Sequence, residues 1–249
     1  MRLLIYGMQS SGASTLALLL AQKADCAAFV DIWSMYAAPS LPERAGLDVV
    51  AKVIVTTTFP LALHQERFRP DHTLLLVRHP QTNYRSLASK SYRNHCGFIE
   101  EKFAVLDKVF NDRAAYDSLL HYEDMILDAQ GTARALEVIG WRWDAAFLKF
   151  WRTQQQIEEF NNVRFPGIAQ RLEYGVGNHH FGGLRPSLAD LTDIGACHED
   201  VRQWCPAMAE YYDSLTRQRG ADWRLSLPVD DKAVSTKLAA DEHRPVAAQ

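Results

Sequence analysis

The sequence predicts an α/β fold of three layers, with helices covering both faces of a central parallel sheet. Two observations carry this expectation. Five short, largely apolar runs alternate with segments of helical period, and strands that alternate with helices build parallel sheets covered on both faces. The first run also leads through a loop of small residues straight into the first helical segment, the usual beginning of a sheet that binds ligands at its carboxyl edge.

The first run, Leu3-Leu4-Ile5-Tyr6, is apolar throughout, as a strand buried on both faces must be, and it stops at Gly7. Helical spacing begins near Ser14 and continues through Leu16, Leu19 and Leu20. Further strands are predicted over Ala27 to Asp31, Lys52 to Thr56, Thr73 to Val77 and Ser118 to His121. Between them the pattern predicts helices over Gln81 to Tyr92, Glu100 to Phe110 and Glu123 to Val138. One long helical pattern runs from Asp144 to Phe160, and a stretch rich in Gly, Asn and His follows from Asn161 to Pro186. Loops of that length inside a domain are functional or disordered. A last helix around Val201 to Thr216 closes the fold. Residues 1–228 read as one domain, and 229–249, poor in large apolar residues, as a disordered tail.

With 249 residues, 47% of them hydrophobic, the chain can bury a sizeable core. A formal net charge of −3 points to neither nucleic acid nor an anionic membrane as partner. Cys26, Cys96, Cys197 and Cys205 form no C-x-x-C pair, which suits neither a zinc site nor a disulfide framework and fits a reducing cytoplasm. The polar residues Gln9-Ser10-Ser11 interrupt the apolar N-terminus, and Leu16 to Ala21 is too short to span a bilayer. The expectation is therefore a cytoplasmic chain with no transmembrane segment.

Gly7-Met8-Gln9-Ser10-Ser11-Gly12-Ala13-Ser14-Thr15 follows the first predicted strand and opens the first helix. In that context backbone N–H groups and the helix N-terminus cradle a phosphate, and the hydroxyls of Ser14 and Thr15 add donors. The spacing matches G-x-x-x-x-G-x-[ST], so the fold expected is P-loop NTPase-like, but Ala13 stands where a triphosphatase has lysine. An ordinary turn between strand and helix fits the same residues. A kinase or NTPase needs that lysine and a metal held by a strand-end aspartate, whereas the strand over Thr73 to Val77 ends in Arg78. Eight residues later Ser86 lies on the helix that starts after Pro80. An arginine fork with a hydroxyl makes a receptor for a phosphate monoester, although an arginine here could also cap a neighbouring helix.

Three more segments complete a pattern: His121-Tyr122-Glu123-Asp124-Met125, Ile139-Gly140-Trp141-Arg142-Trp143-Asp144, and His180-Phe181-Gly182-Gly183-Leu184-Arg185-Pro186. Taken with the loop and with Arg78, Pro80 and Ser86, these pieces resemble, in order and spacing, the P-loop sulfotransferases, in particular their bacterial and carbohydrate-like branch. The resemblance covers most of residues 2 to 220. It implies transfer of a sulfuryl group from 3′-phosphoadenosine 5′-phosphosulfate (PAPS) to an acceptor hydroxyl on a small molecule or saccharide, without a metal. It implies that Ser10, Ser11, Gly12, Ala13, Ser14 and Thr15 hold the 5′-phosphosulfate. Arg78 and Ser86 would grip the 3′-phosphate, with Arg185 as a third contact.

Sulfuryl transfer to a hydroxyl also needs a base. The resemblance to the carbohydrate branch implies a carboxylate base beyond the loop, and Asp31, at the end of the second predicted strand, has the matching spacing. Asp31 equally suits an N-cap or a turn. The histidine of the cytosolic class has no counterpart in Thr56-Thr57-Thr58-Phe59-Pro60; His64 and Glu43 are reserve candidates. Ser10 stands where the family loop has lysine or arginine. Lys52, Lys90 or Arg185 could supply that charge instead, or the chain could bind the nucleotide, PAP included, without turning it over. A P-loop kinase lacking its lysine is the third reading. The pair His179-His180 lacks the spacing of a metal site and reads as acceptor-pocket lining. Trp141, Trp143, Phe147 and Trp151 read as core more readily than as a sugar platform.

Overall fold

The computed structural model describes residues 1–32, 38–43, 46–54, 60–95, 97–127, 129–168 and 199–219. Arg185, the pair His179-His180, residues 55–59 and the expected tail 229–249 lie outside the described residues.

Five strands form one sheet: β1 (Arg2–Gly7), β2 (Cys26–Ile32), β3 (Asp48–Ile54), β4 (His72–Val77) and β5 (Ser118–His121). Their order is β2-β3-β1-β4-β5, and every pairing is parallel. The helices are α1 (Ala13–Leu20), α2 (Leu61–Phe68), α3 (Pro80–Ala88), α4 (Ile99–Asn111), α5 (Tyr122–Leu127), α6 (Ala129–Glu137), α7 (Gln154–Arg164), α8 (Glu199–Trp204) and α9 (Pro206–Arg219).

Alternation along each strand sends neighbouring side chains to opposite faces. Leu4, Tyr6, Phe29 and Leu75 pack on one face against Phe68 of α2, Leu87 of α3, Phe103 of α4 and Tyr212 of α9. Leu3, Ile5, Val30 and Leu76 pack on the other against Leu16 and Leu19 of α1, Leu136 of α6 and Ile157 of α7. Both faces are covered, which is the three-layer α/β/α arrangement. A fully buried Leu or Phe contributes about 1.5–3 kcal/mol, so the two layers hold the sheet from both sides.

Three helical segments end where the periodic pattern alone runs on. The expected helix over Glu123 to Val138 is two helices, α5 and α6. The pattern from Asp144 to Phe160 divides into a short 3-10 turn, Ala145–Lys149, and α7. Phe150 between them adopts a left-handed φ of 46°, and Thr153 caps α7 by accepting the Gln156 N–H while the Gln156 side chain accepts the Thr153 N–H. The last helix breaks at Cys205, before Pro206, because proline has no N–H for the preceding turn and belongs at a helix start. Helix α2 was no part of the sequence expectation.

The order of the strands locates a crevice. After β1 the chain passes to α1 on one face; after β4 it passes to α3 and α4 on the opposite face. Two neighbouring strands whose exits part in this way leave a gap at their carboxyl ends, the topological switch point where open α/β sheets bind ligands. Gly7 and Val77 end the two strands that flank it. Among the described residues no helix is long and apolar enough to cross a membrane.

Candidate functional site

The loop between β1 and α1 is shaped by two glycines. A Cβ on Gly7 would stand 2.8 Å from the Ala13 Cβ, so only glycine lets the strand turn this closely onto the helix. Gly12 has φ of 92° at the head of α1, and a Cβ there would lie 2.5 and 2.8 Å from two Tyr122 ring atoms. Gly12→Ala is therefore expected to cost about 2 kcal/mol, from backbone strain and displacement of the ring. A thermal melt should show a fall of about 4–8 °C; an unchanged melting temperature would mean that the loop is not held as described.

Ser10 takes φ of 62°, uncommon for a residue with a side chain. Its carbonyl accepts from Arg78 Nη1 at 3.0 Å. The Gln9 carbonyl accepts from Asn83 Nδ2 at 2.8 Å, and the Met8 carbonyl from the Ser11 N–H at 3.2 Å. Three consecutive carbonyls are thus occupied. The first backbone bond of α1 runs from the Leu16 N–H to the Gly12 carbonyl, so the N–H groups of Gly12 and Ala13 precede the intrahelical ladder and carry its positive end.

The buried Oγ atoms of Ser10 and Ser11 have no hydrogen-bond partner among the described residues. Ser11 is 1% exposed. Buried hydroxyls are nearly always bonded, and two such groups side by side at a helix head fit the oxygens of an anion.

Arg78, buried at the end of β4, lies against this loop. Besides Ser10 it reaches Thr82 Oγ1 with Nε, at 3.0 Å, and its guanidinium sits 4.3 Å from the centre of the Tyr122 ring. Stacking and two hydrogen bonds fix the plane of the fork. Ser86 is half-buried on α3, one turn past Thr82 and on the same stripe. The structure therefore brings Ser10, Ser11, Gly12, Ala13 and Arg78 together, with Ser14 and Thr15 in the first turn of α1 and Ser86 on the adjoining helix.

The other candidates are more scattered. Asp31 lies in the last part of β2, two strands from β1 across β3. His64 is buried on α2, and its Nδ1 accepts the Ala38 N–H at 2.9 Å. Burial and the nearby Arg67 charge hold its pKa down to about 4. The ring is neutral at pH 7, with its hydrogen on Nε2. Glu43 is exposed, as is Lys90, whereas Lys52 is buried within β3 opposite Ile5 of β1.

Periodicity could not reveal the polar groups behind the loop. Asn83 and Lys102 are fully buried, and both bond to Gln9, whose side-chain Oε1 accepts from Lys102 Nζ at 2.6 Å. Glu123 is fully buried too; it accepts the His79 N–H at 2.8 Å and the Tyr212 hydroxyl at 3.2 Å. Burial pushes its carboxyl above the ordinary range. His121 Nε2 bonds the Tyr211 hydroxyl at 2.9 Å. The carboxylate thereby ties α9 to the turn that carries Arg78, and Tyr122 beside it holds the arginine from below. The Tyr122-Glu123 pair, noted in the sequence, is the one signal that could have pointed to this support.

No family model matches the sequence, and no curated protein matches it. Among solved structures the chain is similar to the sulfotransferase domain from the Synechococcus PCC 7002 olefin synthase. That domain is 13% identical, with a TM-score of 0.49; the match covers 86% of this chain and 94% of the domain.

Proposed function

We propose that this chain is a PAPS-dependent sulfotransferase acting on a hydroxyl, with a saccharide as the favoured acceptor class. One observation carries the reading: Arg78 lies against Ser10 beside two buried serine hydroxyls at the head of α1 that have no partner among the described residues. That is a receptor with fixed donors for more than one anionic oxygen. A strand-end arginine, in place of a metal-holding aspartate, and a loop without lysine favour a 3′-phosphorylated nucleotide over a magnesium triphosphate. The two hydroxyls and the N–H groups opening α1 fit the 5′-phosphosulfate, and Arg78 and Ser86 fit the 3′-phosphate. Arg185 completes the set by its place in the sequence.

PAPS, when bound, supplies the sulfuryl group. The acceptor oxygen forms the new S–O bond as the bond from sulfur to the 5′-phosphate oxygen breaks, and the loop donors take up the charge that develops there. Asp31, by its place at the end of β2, is assigned the acceptor's proton. His64 suits that role less well, because its Nδ1 already receives the Ala38 N–H and Nε2 carries the hydrogen. The saccharide rests on the spacing of Asp31 from the loop.

Calorimetric titration with PAP, beside ADP with and without magnesium, tests the reading. Tight PAP binding independent of magnesium, with ADP much weaker, is the expected result. Preference for ADP with magnesium would replace the proposal with a kinase. A chain that binds PAP and transfers sulfuryl to no hydroxyl would be a binding protein, the reading that Ser10 in place of a cation favours.

A further inference from the structure

We infer that Lys102 is a positioning residue of the phosphate loop, setting through Gln9 the donors that receive the 5′-phosphate group. The inference rests on the reading of the loop as a phosphate receptor.

Lys102 lies on α4, within a segment whose periodic pattern gives no sign of a buried charge, yet it is fully buried. A lysine in the interior costs several kcal/mol of desolvation unless its donors are used, so its position calls for a reason. Its Nζ donates to Gln9 Oε1 and to the Arg93 carbonyl, both at 2.6 Å. Gln9 is thereby gripped twice, at its side chain from α4 and at its carbonyl by Asn83 of α3. The next residue, Ser10, is gripped by Arg78.

Those grips have a geometric consequence. In a trans peptide the N–H points opposite to the carbonyl before it, so an inward Gln9 carbonyl turns the Ser10 N–H the other way. The left-handed Ser10 costs about 1 kcal/mol or more and persists only where its surroundings over-determine it. Lys102 reaches the loop by a side chain-to-side chain bond to Gln9, and its ammonium gives that bond charge-assisted strength. It also fixes the Arg93 carbonyl, joining the basic turn after α3 to the loop. The loop carries no cation at Ser10; a buried one holds it from behind.

The test uses the full chain with Lys102→Met and Gln9→Ala, titrated calorimetrically with PAP, 5′-AMP and 3′-AMP. Lys102→Met should weaken PAP and 5′-AMP about tenfold, the scale of one hydrogen bond to a charged group, while 3′-AMP binding stays unchanged. Gln9→Ala should reproduce that selective loss, and Lys102→Met in the Gln9→Ala background should add nothing. Wild-type-like binding by Lys102→Met, an equal loss for all three nucleotides, or additive effects would overturn the inference. Should Lys102→Met fail to fold, Gln9→Ala decides: selective loss of the 5′-phosphate nucleotides supports the inference and unaltered binding overturns it. A wild-type chain that binds none of the three would remove the phosphate-loop reading and this inference with it. A wild-type chain that binds PAP beside an unaltered Lys102→Met would remove the inference alone.

Discussion

Arg78→Ala is expected to weaken PAP binding by about a hundredfold or more. A guanidinium that meets a phosphate with two charge-assisted hydrogen bonds supplies about 1.5–3 kcal/mol for each, and alanine replaces neither. Arg78→Lys keeps the charge without the planar fork and should fall between. Contacts of the side chain with the Ser10 carbonyl, Thr82 and the Tyr122 ring pre-set the fork, so little ordering is left for the ligand to impose. Comparison with 5′-AMP makes the assignment sharper. If Arg78 grips the 3′-phosphate, PAP should lose far more affinity than 5′-AMP does. Equal losses would place its charge at the 5′-phosphate instead, through its contact with Ser10. Unchanged PAP affinity would sink the site assignment altogether.

Much of the scaffold behind that prediction was legible in the sequence, for a simple reason. Strands buried on both faces read as unbroken apolar runs, and Leu3-Leu4-Ile5-Tyr6, Thr73 to Val77 and Ser118 to His121 lie within β1, β4 and β5. β3 was harder. It begins at Asp48, whereas the expected strand began at Lys52 and so missed its first four residues. The breaks at Phe150 and Cys205 left local signs, Thr153 with Gln156 as a capping box and Pro206 as a helix start, which the apolar period overrode. Arg78 and Ser86 stood out as candidates because their spacing is local. Lys102 and Asn83 could not, since what makes them part of the site is a contact with Gln9 from 93 and 74 residues away. Only the packed fold brings those segments together. Glu123 belongs to the same class: its carboxylate looks like any helix-start acid until Tyr212 and the His79 N–H close over it.

The second large effect concerns acid. His64 is held neutral in the folded chain, its pKa lowered from 6.5 to about 4 by burial and by Arg67. The unfolded chain therefore binds one more proton than the folded chain between those two values. By linkage, stability contributed by the neutral ring is present in full above pH 6.5, declines as the pH falls, and is exhausted below about pH 4. The shift corresponds to about 3 kcal/mol. Glu123 works in the opposite sense: its raised carboxyl pKa means that protonation favours the fold, so its charge costs stability at high pH and that cost disappears as the pH falls towards 4.5. A wild-type profile mixes the two. His64→Gln separates them, because the glutamine Oε1 can still accept the Ala38 N–H while nothing at the position titrates. Urea unfolding at pH 7, 5.5 and 4 should show the wild type losing about 3 kcal/mol more than His64→Gln across the range. Parallel slopes would mean that the imidazole titrates alike in both states, and then His64, free to take a proton near pH 6.5, would return as a rival to Asp31 for the base.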